Sequence, residues 1–237
     1  MNGKRILAVG AHPDDIEFGC GGFLLDAAAQ GAAIVMTVLS HGEAGTYGDP
    51  ATRKSEAQAA ANMLNAKLEF LPTEGDTCIR ATLELTRRMA IRIRRHQPDI
   101  VLAPSGHLNQ HPDHREVNQI VRDATRLARY GNTPGLEDST PHAASLVLFY
   151  DISSGGAANA DSYSIFVDIS SQVEAWTELM KCHATQVANM DYIDLQLSRA
   201  RVNGIQVGVY SAQRLYSESP LLASSVTDLS VLRSQRF

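Results

Sequence analysis

The chain has 237 residues, with 21 Lys and Arg against 26 Asp and Glu, so its formal net charge is −5. That balance supplies no concentrated positive field, which excludes nucleic acid and anionic membrane surfaces as expected partners. Hydrophobic residues at 44% and charged residues at 20% belong to a folded globular chain, not a disordered one.

The first apolar run, Ile6–Ala11, is closed by His12-Pro13. It is too short, and too soon interrupted by charge, for a signal peptide, and no window approaches the ~20 apolar residues of a membrane span. Cys20, Cys78 and Cys182 are odd in number and far apart, which gives neither a disulfide framework nor a cysteine zinc knuckle and fits a reduced compartment. A cytoplasmic protein is expected.

Gly19–Gln30 then reads as a helix stopped at Gly31. Ala33–Leu39 is a second strand, and Ala51–Asn65 carries Ala57, Ala60, Ala61 and Leu64 at helical spacing. Leu68–Leu71 is a short strand ended by Pro72. Thr82–His96 is an amphipathic helix whose Arg87, Arg88, Arg92, Arg94 and Arg95 read as an exposed face. Ile100–Ala103 is a fourth strand and Pro112–Arg129 a further helix. After a Pro/Gly/Asp loop at Gly131–Ala144 come two strands expected to be antiparallel, Ser145–Tyr150 and Tyr163–Asp168, with Ser153–Ser162 as a mobile stretch between them. Helices follow at Val173–Val187 and up to Asn203, with Trp176 as core or subunit contact; the last 25 or so residues show no clear periodicity.

Alternating strands and helices predict an α/β fold, a Rossmann-like, mostly parallel sheet covered on both faces. Residues 1–237 are expected to form one domain, with 1–130 as the core carrying the site. Residues 131–237 form a smaller C-terminal α/β extension that completes the sheet and the cleft. Ligands in such sheets lie past the carboxyl ends of the strands, so chemistry should follow directly after the apolar runs.

It does so twice. His12-Pro13-Asp14-Asp15 follows the first strand, and His111-Pro112-Asp113-His114 follows the fourth after a short loop. A single His-Pro-Asp is most simply a turn with an N-cap. Two copies at strand ends that one sheet can bring together favour a metal site. Two imidazoles and one carboxylate with an open position make the ligand set of a catalytic zinc ion, and His12, Asp15 and His114 are the ligands read here. Asp14 is then placed to take a proton from water, and His111 to stabilise an oxyanion or protonate a leaving amine. Asp113 can orient an imidazole. Gly19-Cys20-Gly21-Gly22 departs from the dinucleotide spacing and follows two acids that would repel a pyrophosphate; its glycines are read as close packing beside the metal loop. His107 is read as substrate-facing, His41 as equally cleft wall or surface loop, and His96 and His142 as solvated. His183 is read as a helical histidine that could reach the cleft but is more simply structural.

The stretch Ala11-His12-Pro13-Asp14-Asp15-Ile16-Glu17-Phe18-Gly19-Cys20-Gly21-Gly22, with His111-Pro112-Asp113-His114, resembles the two ligand motifs of the PIG-L/LmbE-type zinc-dependent de-N-acetylases. Arg53 and Glu56, Pro98-Asp99-Ile100-Val101 and His183-Ala184-Thr185-Gln186 match further along the chain. The tail around Val209-Tyr210-Ser211-Ala212-Gln213 resembles the bacillithiol-pathway branch, where a Glu often stands in place of Gln213. The resemblance implies metal ligation by His12, Asp15 and His114, Asp14 as general base, His111 on the tetrahedral intermediate, Asp113 tuning it, and Arg53 binding substrate. Taken alone, Arg53 reads as a solvated side chain. The implied cofactor is Zn2+, with Fe2+ or another divalent ion also compatible with this donor set. The implied partner is a small-molecule amino-sugar conjugate from which acetate is removed, and the implied assembly is a homo-oligomer. Two other readings use the same residues: an amidase on a non-sugar or thiol-conjugate amide, and a non-catalytic sugar- or nucleotide-binding protein with a vestigial metal site.

Overall fold

Along the first strand, Ile6 and Ala8 belong to one hydrophobic cluster and Leu7 and Val9 to another. A strand that buries alternate residues on both faces must be central in a sheet covered on both sides. The computed structural model, which describes residues 1–108, 110–153, 163–188, 190–223 and 225, shows that sheet. Its elements in chain order are β1 (Arg5–Gly10), α1 (Asp15–Ala29), β2 (Ala33–Val38), α2 (Pro50–Met63), β3 (Lys67–Phe70), α3 (Leu83–His96), β4 (Ile100–Pro104) and α4 (Pro112–Arg129). They continue with β5 (Leu146–Tyr150), β6 (Tyr163–Asp168), a 3₁₀ turn (Ser170–Gln172), α5 (Val173–Lys181), α6 (Ala184–Val187), α7 (Tyr192–Val207) and β7 (Ala212–Ser217).

The seven strands lie in the order β3-β2-β1-β4-β5-β7-β6. β1 to β5 are mutually parallel, and β7 is antiparallel to both its neighbours. The fold is therefore the expected mostly parallel α/β sheet. α1, α2, α5 and α7 contribute to the core on one face and α3 and α4 to the core on the other. No helix among the described residues is long and apolar enough to cross a membrane.

Several expectations change. The strands β5 and β6, expected to be antiparallel, run in the same direction, because each is antiparallel to β7, which comes from the segment without visible periodicity and lies between them. The expected helix over Val173–Val187 breaks at Cys182-His183. The first helix starts at Asp15 and carries a non-helical Cys20 (φ −142°, ψ 16°). Its glycines fit it against other parts of the core, not the metal loop: a Cβ would meet the Tyr150 ring at Gly19, Trp176 and Leu179 at Gly21, and Ile169 at Gly22.

The arginine face is likewise not all exposed. Arg94 is buried and donates to the carbonyls of Ala128, Leu136, Ser139 and Tyr130 at 2.5–3.0 Å, so its charge ties α3 to the loop after α4. His96 and His142 are also engaged, with Glu69 at 3.1 Å and the Pro98 carbonyl at 2.8 Å. Apart from Ser153, the stretch Ser153–Ser162 lies outside the described residues, as do 226–237 of the C-terminal segment.

Candidate metal centre

β1 and β4 are adjacent and parallel, with Ile6 opposite Ile100. From this pair the order runs outward through β2 on one side and β5 on the other, and the helices that follow, α1 and α4, pack on opposite faces. That divergence opens a crevice at the carboxyl ends of the two strands. Both His-Pro-Asp segments enter it.

In the first segment the carboxylate of Asp15 turns back on its own loop. Its Oδ2 accepts the backbone N–H groups of Ala11 and His12 at 2.8 and 2.9 Å, leaving Oδ1 to face His114 Nε2 at 3.1 Å. His12 Nδ1 lies 3.6 Å from Asp15 Oδ2. Around a tetrahedral ion with bonds near 2.1 Å, neighbouring ligand atoms stand about 3.4 Å apart, so this buried trio has the spacing and donor types of a divalent-cation site. His114 Nδ1 is also buried without a hydrogen-bond partner. The two imidazoles outweigh the effect of burial and hold Asp15 well below the usual carboxylate range.

A second trio, His12, Asp76 and His111, also has its ligand atoms within 4.8 Å of one another. It uses the other side of the His12 ring, whose Nε2 is 3.0 Å from Asp76 Oδ1 and 3.2 Å from Asp113 Oδ2. A histidine that ligates through one nitrogen commonly donates the other N–H to a carboxylate. On that geometry the first trio would be free to hold an ion, with Asp76 and Asp113 on the other side of the His12 ring. Burial alone would lower the pKa of His12; Asp15, Asp113 and Asp76 raise it well above the ordinary value. The carboxylate of Asp113 meets His12 and the Thr77 N–H (2.7 Å), not the His111 ring that the family motif implied.

His111 is the N-cap of α4, and its Nδ1 accepts the Asp113 N–H at 3.2 Å. With Nδ1 an acceptor, the neutral ring carries its proton on Nε2. Burial, then the neighbouring His12 and His114, push the pKa of His111 down, which keeps that neutral form.

Asp14 is held at φ 114°, a left-handed conformation costly for a residue with a Cβ. Its carboxyl is pushed up to about 7 by burial and the charge of Asp15, against the opposing pull of His183, Arg53 and His12. Arg53, far from solvated, is buried. It donates to the Pro13 carbonyl (2.8 Å), the Gly42 carbonyl (3.1 Å) and Asp14 Oδ2 (3.3 Å). Gly42 sits at φ +72°, and a Cβ there would stand 1.9 Å from Arg53 Nη1, so the β2–α2 loop closes over the guanidinium.

The resulting cavity, about 540 Å³, is lined by His12, Asp14, Asp15, Arg53, Asp76, His111 and His114, together with Tyr47, Met190 and Tyr192. The other singled-out residues lie elsewhere. His107 is edge-on to Tyr216 beside Asp151, His41 stacks on Phe70, and His183 is fully buried 3.0 Å from Glu17. Gln213 accepts the Phe23 N–H, and Trp176 is core, bonded to the Glu17 carbonyl. Sequence reasoning missed Asp76 and the tyrosines of the rim. For Asp76 the signal was its place in the loop after the third strand, at the same end of the sheet.

The sequence profile of the PIG-L family, described as GlcNAc-PI de-N-acetylase, matches residues 7–125. The chain is 28% identical over 195 residues to a diacetylchitobiose deacetylase of Thermococcus kodakarensis, covering 77% of this chain and 70% of that protein. Its fold is similar to that of the conserved protein TT1542 of Thermus thermophilus, with TM-score 0.83, 27% identity, and 97% and 99% of the two chains covered. It is also similar to GalB, the 4-carboxy-2-hydroxymuconate hydratase of Pseudomonas putida, with TM-score 0.76, 26% identity, and 94% and 99% covered.

Proposed function

The chain belongs to the PIG-L family, and on that premise we propose that it is a metal-dependent hydrolase. Its reaction is removal of the N-acetyl group from an N-acetylglucosamine-type conjugate, releasing acetate and a free amine. The observation that carries this reading is the convergence of His12, Asp15 and His114 beside an acid, Asp14, and a neutral imidazole, His111, that such a cation site does not need as ligands.

His12, Asp15 and His114 would hold the ion, for which zinc is the proposed identity. A divalent cation there supplies Lewis-acid polarisation of the amide carbonyl and brings the pKa of water toward ~7. Asp14, steadied by Arg53, takes the proton of the attacking water as the new C–O bond forms. His111 directs Nε2–H at the carbonyl oxygen as it gains negative charge, a contact that strengthens toward the transition state. The proton held on Asp14 then passes to the amine as the C–N bond breaks, which returns the carboxylate. Asp113 and Asp76 keep the His12 ring turned so that Nδ1 faces Asp15.

The hydratase likeness supplies a second reading, because the same base and water can add across a carbon–carbon double bond. The discriminating experiment offers the metal-loaded protein N-acetylglucosaminides, non-sugar acetamides and unsaturated oxo-acids, and measures acetate and water addition. Acetate from the glucosaminides is the expected result. Acetate from non-sugar amides alone would replace the substrate class, and water addition without acetate would replace the reaction.

A further inference from the structure

The rim of the cavity differs in chemistry from its floor. The β2–α2 loop brings Tyr47, the connection before α7 brings Met190, and the start of α7 brings Tyr192. These three large apolar side chains are 43%, 49% and 36% exposed, so they stand at the mouth with much of their surface still in water. Two of them are braced. The Tyr47 carbonyl accepts Gln186 Nε2–H at 2.9 Å, and the Tyr192 ring packs against Phe18 at 5.7 Å between centroids.

Charge in the cavity is arranged the other way from what an anionic substrate needs. Among the described lining residues the carboxylates are Asp14, Asp15 and Asp76, and the only Lys or Arg is Arg53. Arg53 is 3% exposed, with its Nη groups turned to Pro13, Gly42 and Asp14. The histidines belong to the floor, where a dication would sit against Asp15. Among those lining residues no cation is left at the mouth for a phosphate or carboxylate, which would have to shed water without a charge-assisted partner.

We propose that the cleft selects conjugates whose group next to the N-acetylglucosamine is uncharged and presents a ring face. That group is a second sugar or an aryl group, seated against Tyr47, Met190 and Tyr192, and phosphate- or carboxylate-bearing conjugates are selected against. The inference rests on the deacetylase reading above and adds the substrate's other half. Tyrosine suits the role because its rigid ring offers an apolar face at low entropic cost while its hydroxyl stays wet.

The test measures kcat/KM for acetate release by the metal-loaded enzyme from four probes. These are methyl N-acetylglucosaminide, phenyl N-acetylglucosaminide, the β-1,4-linked dimer of N-acetylglucosamine, and N-acetylglucosamine 1-phosphate. The phenyl and dimer probes should exceed the methyl probe by about 3- to 10-fold, the size of an aromatic contact, and the phosphate should fall below it by at least about tenfold. Tyr47→Ala and Tyr192→Ala should lower the phenyl-to-methyl ratio, and Tyr192→Arg should raise the phosphate relative to the methyl probe. Phosphate turnover equal to that of the methyl probe, or a wild-type phenyl-to-methyl ratio near one, would overturn the inference and leave the deacetylase reading standing. No acetate from any of the four would remove that reading and this inference together.

Discussion

The two His-Pro-Asp segments begin with the same three residues and end up doing different work. In the first, the chain passes through a left-handed Asp14 before α1 begins, so Asp15 folds back onto the amides of Ala11 and His12. In the second, Pro112 opens α4 directly, His111 caps it, and His114 lies within the first turn. The third residue therefore diverges most: Asp14 lines the cavity, whereas Asp113 is fully buried beneath His12. A shared tripeptide sets where chemistry gathers, and the backbone that follows decides which side chain meets the ligand.

That asymmetry can be broken deliberately. The largest effect is expected from His114→Ala, which should remove the bound divalent ion and take activity to background. Elemental analysis of the purified variant checks it, and stoichiometric metal would disprove the ligand set. Next is Asp14→Ala, which should keep the metal and lose about 10²–10⁴-fold in kcat; an unimpaired variant would free Asp14 of the role of base. His111→Ala follows, with metal retained and kcat lowered by about 10²–10³-fold while KM changes little, because its contact matures in the transition state. The positional counterpart of Asp14 predicts a contrast, since Asp113→Asn should instead weaken metal binding by about 10–100-fold through His12, read as a shifted metal titration.

The smallest effect lies outside both segments and is read in stability. Burial works against the charge on His183, but Glu17 outweighs it and raises the pKa. A group whose folded pKa is raised stabilises the fold fully below its unfolded value, near 6.5, and loses that contribution as pH rises through the folded value. His183→Gln should thus be less stable than wild type near pH 6, with the gap narrowing toward high pH in denaturant titrations. A gap independent of pH would mean that the pair contributes packing alone.

The residues themselves determined the alternation of strands and helices, the placing of both His-Pro-Asp motifs after strands, and the candidacy of His12, Asp15 and His114 as ligands. These are local signals, since periodicity, caps and strand-end position are written within a few residues of where they act. Tertiary structure decided the rest. β7 slots between β5 and β6 although its Gln213, Arg214 and Ser217 blur the alternation, because strand pairing is settled by partners far away in the chain. Arg53 and Arg94 read as solvated, yet both are buried, because backbone carbonyls from distant loops converge on each guanidinium and satisfy it. Asp76 entered the site by the same route, carried by a loop whose own sequence holds no motif. Which partner a polar side chain meets depends on where remote segments are brought, and only the packed sheet specifies that.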